Sequence, residues 1–241
     1  MIQTVLKRDG RVVGYNEEKI KAAIRKAMLQ TSLGEDEALI QKITDRIGIT
    51  GNEQMTVEEI HEMVDAFRRC AVLLQEAGID GVEIHAVHEG YLLDQFTLPY
   101  VNRRNDEYGG SFENRYRFAV EIVQAIKQAC GKDFPVSLRY SVVSKTKGFR
   151  EGALPGEEYT EVGRDMAESE RAAKYLQDAG YDMLNCDNGT YDAWYWAHPP
   201  IYMPENCNLE DVEHIKQFVD IPVVAAGRLA PRVAADAIAA G

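Results

Sequence analysis

The sequence predicts an α/β chain whose larger, C-terminal part is built on a parallel sheet, either half of a (β/α)8 barrel or a small open sheet. Three observations lead there. From Ile79 onward, short apolar segments alternate four times with longer amphipathic ones, the rhythm of buried parallel strands covered by helices. The stretch before residue 56 reads differently, as a hairpin followed by helices. The 241 residues, 45% hydrophobic and 27% charged, suit one large domain or two small ones and exclude disordered and fibrous classes.

The elements follow in chain order. Residues 2–6 and 11–15 read as short strands around Asp9-Gly10, a dipeptide suited to the positive φ of a hairpin turn. Asn16 is a good N-cap for a helix over 17–30, because Ile20, Ala23, Ile24, Ala27 and Met28 share one face. A second helix is expected over 36–47. Thr56 and Glu59 form a capping-box pattern before a third, which Gly78 ends. Strands are then expected at 81–86, 135–140, 183–185 and 221–225, with helices over 113–129, 161–179, 209–218 and 231–240. A closed barrel needs eight such units and usually about 250 residues, so four units make half of one.

Charge and cysteine content narrow the function. Residues 1–55 hold 9 basic against 8 acidic side chains and stand at +1, so residues 56–241 carry −13 of a chain total of −12. A sequence pI near 4.9 argues against general nucleic-acid binding, which needs a cationic face. No apolar run approaches the roughly 18 residues of a membrane span, and the expectation is a cytoplasmic protein without a membrane partner. Cys70, Cys130, Cys186 and Cys207 are far apart, with no CxxC pair; reduced, buried thiols are expected rather than a zinc ribbon or disulfide framework. Lys7, Arg8, Arg11, Lys19, Lys21, Arg25 and Lys26 concentrate positive charge near the start. Such a cluster is either a solvated helix face with a charged turn or a site for a polyanionic small molecule.

Val5-Leu6-Lys7-Arg8-Asp9-Gly10-Arg11, with Tyr15-Asn16 and the helix through Lys19-Ile20, resembles the ATP-cone, the nucleotide-sensing domain of ribonucleotide reductases and their repressor. The resemblance covers about residues 1–64 and implies an ATP-cone-like domain over 1–55 that binds ATP or dATP. Val5, Lys7, Arg8 and Lys19 are then the nucleotide contacts. A hairpin offering two cations beside a helix N-terminus suits a triphosphate on general grounds.

The string from Gly78 through His85-Ala86-Val87-His88-Glu89-Gly90-Tyr91 to Phe96 is longer and more specific. With Arg103, Asp106-Glu107-Tyr108-Gly109-Gly110-Ser111 and Glu113-Asn114-Arg115, it resembles the old yellow enzyme family. It is most similar to the NADH:flavin oxidoreductases that reduce enoates, 2,4-dienoyl-CoA and bile-acid intermediates. The resemblance covers about residues 56–241 and implies a partial FMN-dependent barrel. In that family FMN takes hydride from NAD(P)H and passes it to an activated C=C bond. The implied substrate is an α,β-unsaturated acid, ester or CoA thioester.

By the same resemblance, His85 and His88 hold the acceptor's carbonyl oxygen, where enolate-like charge develops, and Tyr91 protonates the α-carbon. Arg139 faces the pyrimidine side of the flavin, and Gly227 and Arg228 grip its phosphate through backbone N–H groups. Tyr191, Trp194, Tyr195, Trp196 and His198 resemble a substrate-facing loop. On the residues alone, a His pair is as readily structural or part of a metal site, although no third ligand follows at a recognisable spacing. Residues i and i+3 of a strand face opposite ways, so His85 and His88 converge only if the strand ends between them.

That comparison leads to the expectation that the family's three preceding strand–helix units and its last strand are missing. Residues 55–64 suit either family, since both place a Thr-capped helix there. Three readings stand: an FMN-dependent ene-reductase fragment completed by pairing with another half barrel, a nucleotide-binding module with a passenger half barrel, and a composite chain without activity of its own. Unpaired strand edges favour self-association, and a homo-oligomer completing the barrel is expected under the first.

Overall fold

The computed structural model describes residues 4–6, 12–14, 16–28, 37–38, 40–41, 54–88 and 92–240. The chain divides into two compact units, Met1–Thr56 and Val57–Gly241. In the first, β1 (Thr4–Leu6) and β2 (Val12–Gly14) pair antiparallel with Val5 opposite Val13, as two strands of the expected hairpin, although this register is one residue off that of a two-residue Asp9-Gly10 turn. Helix α1 (Glu17–Met28) follows. Asn16 caps it: its side-chain oxygen accepts from the Lys19 backbone N–H at 3.0 Å. Most of the helix expected over 36–47 lies outside the described residues, although residues 37, 38, 40 and 41 are helical.

The second unit begins with α2 (Val57–Glu76). Its end is a Schellman turn: the Ile79 N–H donates to Leu74 O and the Gly78 N–H to Gln75 O, with Gly78 at φ 83°. The four expected strands form one all-parallel sheet in the order β3 (Val82–His85), β4 (Val136–Ser141), β7 (Met183–Asp187) and β8 (Val223–Ala225). Connecting them are α3 (Leu92–Thr97), α4 (Phe112–Cys130), α5 (Met166–Ala179), α6 (Trp194–Ala197) and α7 (Leu209–Lys216), with α8 (Pro231–Ala240) last. A short hairpin, β5 (Thr146–Gly148) and β6 (Glu151–Gly152), projects after β4.

Alternation gives the sheet two unlike faces. Ile84, Val136, Leu138, Tyr140, Leu184 and Cys186 lie on one face and are buried, as a helix-covered face requires. The other carries Glu83 and His85, Ser137, Arg139 and Ser141, then Asn185 and Asp187. In register, Glu83 stands beside Ser137, His85 beside Arg139, Arg139 beside Asn185 and Ser141 beside Asp187. Among the described residues β3 and β8 each pair on one side only, so the sheet is open.

Three expectations change. Helix α5 starts at Met166, not 161, because Asp165 is its N-cap, accepting from the Glu168 N–H at 2.8 Å. Residues 161–164 instead run beside the loop and hairpin that follow β4: Glu161 accepts from the N–H groups of Thr146 and Gly163, and the Ser144 N–H donates to Arg164 O. The third strand runs two residues further, to Asp187. Of the four free cysteines only Cys186 is buried, while Cys70 is exposed and Cys130 and Cys207 are half-buried. Among the described residues no helix is long and apolar enough to cross a membrane.

Arg164 locks this unit from inside. Fully buried, it donates to Tyr116 Oη at 2.8 Å, Ser141 O at 2.7 Å, Thr97 Oγ1 at 2.8 Å and Asp94 Oδ1 at 3.1 Å, joining α3, α4 and β4. Its guanidinium lies over the Tyr140 ring, 4.9 Å from the centroid. Removing one partner of a buried, hydrogen-bonded ion pair costs about 3–5 kcal/mol. The Arg164→Leu chain should therefore lose about that much stability in urea unfolding, whereas Arg171→Leu, at the exposed pair with Glu113, should lose under ~1 kcal/mol.

Candidate active site

Strand β3 ends at His85, and His88 adopts φ 72°, a left-handed conformation that turns its side chain back toward the polar face. The two imidazoles converge, with ring centroids 5.7 Å apart at 77°. They differ in surroundings: His85 is exposed and His88 is 2% exposed. Partial burial, reinforced by His88 and Arg139, lowers the pKa of His85 below the ordinary imidazole value of 6.5 despite the opposing pull of Asp187 and Glu83, so at neutral pH it is uncharged.

His88 meets Asp187 at the end of β7, with Nε2 3.1 Å from Oδ1 and 3.0 Å from Oδ2. Asp187 has no exposed surface. Its Oδ2 also accepts from Arg139 Nη2, while Arg139 Nη1 donates to Asn185 Oδ1 at 2.9 Å. Asn185 passes its amide protons to Glu83, which also accepts from Ser137 Oγ at 3.1 Å. Arg139 is thus where the sequence puts it, on the strand next to His85, but it is anchored by a buried carboxylate that the sequence reading missed. The available signal was polar residues at 185 and 187 alternating with apolar ones in a buried strand.

The five aromatic positions after β7 divide in two. Trp194 lies 5.9 Å from His88 and His198 6.1 Å, while Tyr191 stacks on Trp194 at 5.1 Å; these rings wall the histidines. Trp196 and Tyr195 face the other way and donate to Ala153 O at 2.7 and 3.0 Å, packing with Ala193 and Met203. The substrate-facing expectation therefore narrows to Tyr191, Trp194 and His198.

The loop after β8 begins beside Asp187, where the Ala226 N–H donates to Cys186 O at 2.8 Å. Gly227 has φ 117°, and a Cβ there would stand 2.3 Å from Asn208 Nδ2; only glycine fits. Arg228 has φ 43°, and its guanidinium turns back to Met203 O and Glu205, leaving the backbone as what this loop can offer a ligand. Asn208, also unforeseen, is 1% exposed and donates to Trp196 O at 3.0 Å and Ala226 O at 3.1 Å, tying the aromatic helix to the glycine loop.

C-terminal ends of parallel strands share one edge of a sheet, and the structure brings His85, His88, Arg139, Asp187 and the Gly227-Arg228 loop to that edge. Tyr91, Lys7 and Arg8 lie outside the described residues. Val5 is in β1, and Lys19 is exposed on α1. Among the described residues no group of three or more His, Cys, Asp or Glu is placed to hold a metal ion.

Cinnamate reductase of Clostridium sporogenes is 48% identical over 237 residues, covering 93% of this chain and 36% of that protein. NADH oxidase of Thermoanaerobacter brockii is 36% identical over 178 residues, 74% of this chain and 25% of its own length. A solved 2-naphthoyl-CoA reductase, in complex with 2-naphthoyl-CoA, superposes with a TM-score of 0.66 at 28% identity over 78% of this chain and 27% of that one. The chain thus spans about a quarter to a third of the length of these relatives. The family profile described as NADH:flavin oxidoreductase / NADH oxidase matches residues 16–241 and so takes in part of the stretch that resembles an ATP-cone. By the extent of that match, the chain belongs to the NADH:flavin oxidoreductase / NADH oxidase family.

Proposed function

We propose that this chain forms part of an FMN-dependent ene-reductase that reduces an activated C=C bond at the expense of NAD(P)H. The observation that carries it is the convergence of His85 and His88, walled by Trp194 and His198, beside the fixed cation Arg139 at one sheet edge. The similarity to cinnamate reductase makes an α,β-unsaturated carboxylate or its CoA thioester the substrate of choice.

The residues present fit a flavin mononucleotide. His88 Nδ1 is buried with no hydrogen-bond partner among the described residues, a polar atom that awaits a ligand. Arg139 would sit against the electron-poor end of the flavin ring, and the backbone of Gly227 and Arg228, just before α8, would face the phosphate. When bound, FMN supplies the hydride that it takes from a reduced nicotinamide. His85 and His88 then orient the acceptor's carbonyl oxygen and meet the charge that develops there, and Tyr91 is the proton donor to the α-carbon. Tyr191 and Trp194 cover the acceptor and exclude water, which strengthens each of these polar contacts.

A second reading, ATP or dATP binding by residues 1–55 through Val5, Lys7, Arg8 and Lys19, is favoured by the antiparallel pairing of β1 with β2, the strands on either side of the Lys7-Arg8-Asp9-Gly10 sequence. Stabilisation of the chain by dATP, measured as a thermal shift, would support it; an unchanged midpoint at millimolar dATP would remove it.

The purified chain mixed with FMN should retain a yellow chromophore after gel filtration, and a colourless protein would overturn the ene-reductase reading. Gly227→Val should weaken FMN binding at least tenfold, read by fluorescence quenching, because the new Cβ and the unsuitable φ displace Asn208 from the loop. His85→Ala should lower NADH-dependent cinnamate reduction by the flavin-loaded chain on the order of 10²-fold, as loss of one oxyanion donor does, with FMN affinity unchanged.

A further inference from the structure

We propose that Asp187 is the positioning residue of this site: it holds His88 in the tautomer with the proton on Nε2, so that Nδ1 is the nitrogen offered to a ligand. An ionised carboxylate only accepts hydrogen bonds, and Asp187 Oδ2 also accepts from Arg139 Nη2. Both carboxylate oxygens lie within 3.1 Å of Nε2, and Asp187 has no solvent-exposed surface through which water could compete. The Nε2 position must therefore carry a hydrogen. In a neutral ring that is the single hydrogen, and Nδ1 is left with a lone pair.

That nitrogen is the one without a partner among the described residues, in a ring 2% exposed. Around it stand His85 from β3, Trp194 and His198 from α6 and its C-cap, and, behind the ring, Asp187 with Arg139. The positive φ of His88 is needed to aim the ring at Asp187 rather than along the strand. The chemical consequence concerns ligand choice. A lone pair at Nδ1 accepts from an N–H or O–H donor and repels a bare carbonyl or carboxylate oxygen. A bare oxygen is held at that nitrogen only by a ring that carries hydrogen on both nitrogens.

This inference rests on the ene-reductase reading only for the identity of the ligand oxygen. The test is the long-range 1H–15N spectrum of the histidine-labelled full chain near neutral pH, with His88 assigned by its loss in His88→Gln. Expected are a pyrrole-like Nε2 and a pyridine-like Nδ1 for His88, with the tautomers mixed in Asp187→Asn, whose amide can accept from Nε2–H or donate to a bare Nε2. A pyrrole-like Nδ1 with a bare Nε2 in the unmodified chain, or the same tautomer in Asp187→Asn, would overturn the role given to Asp187. The unmodified spectrum decides the tautomer even if Asp187→Asn does not fold. A chain that takes up no FMN yet shows the Nε2–H tautomer would overturn the flavin reading and leave this one standing.

Discussion

A carboxylate with no exposed surface has to be met by charge and hydrogen bonds, and Asp187 imposes that demand on the strands beside it. Arg139 meets it from β4, and His88 meets it from the turn after β3. The backbone joins in, with the Val142 N–H donating to Asp187 O at 2.7 Å. Once those three contacts exist, the register of β3, β4 and β7 follows, because a shift of one residue would send Arg139 and Asn185 to the helix-covered face. The site's electrostatics and the sheet's alignment are thus one constraint seen from two sides.

Much of this was legible beforehand, for a physical reason. Buried parallel strands and amphipathic helices leave strong periodicities, so the four strands and the helices α1, α2, α4, α7 and α8 lie where alternation and caps put them. The hairpin β5–β6 left no such trace. It is five residues of Thr, Lys, Gly and Glu held by outside groups, including Asp192, which accepts from the Arg150 N–H at 2.6 Å. Helix α5 starts late for a similar reason: local pattern suggests a helix from 161, but Arg164 is drawn into the core by four acceptors from distant segments. The histidines and Arg139 were found through family resemblance. Asp187 and Asn208 were missed because a carboxylate or amide is legible as a site residue only once its partners are known.

The polar face of the sheet bears on how the site is enclosed. Glu83 and His85 are exposed, Val224 is 41% exposed, and β3 and β8 are the open edges. An element added along β3 would cover Glu83, whose oxygens already accept from Asn185 and Ser137, so that carboxylate would be buried with partners in place. On the β8 side the exposed group is apolar and gains from cover. Both open edges therefore carry groups that cover would not leave as unpaired charge.

The two ends of the site are also mechanically joined. Asn188 Oδ1 accepts from the Val143 N–H, its amide donates to Asn208 Oδ1 and Asp211, and Asn208 donates onward to Trp196 O and Ala226 O. Both amides are buried, and each has both N–H bonds engaged. Leaving any one of these groups unsatisfied costs roughly 1–3 kcal/mol, which favours the observed mutual placement of the loops after β4, β7 and β8. The helix that carries the rings walling His88 and the glycine turn after β8 are thus tied through the same buried carboxamide.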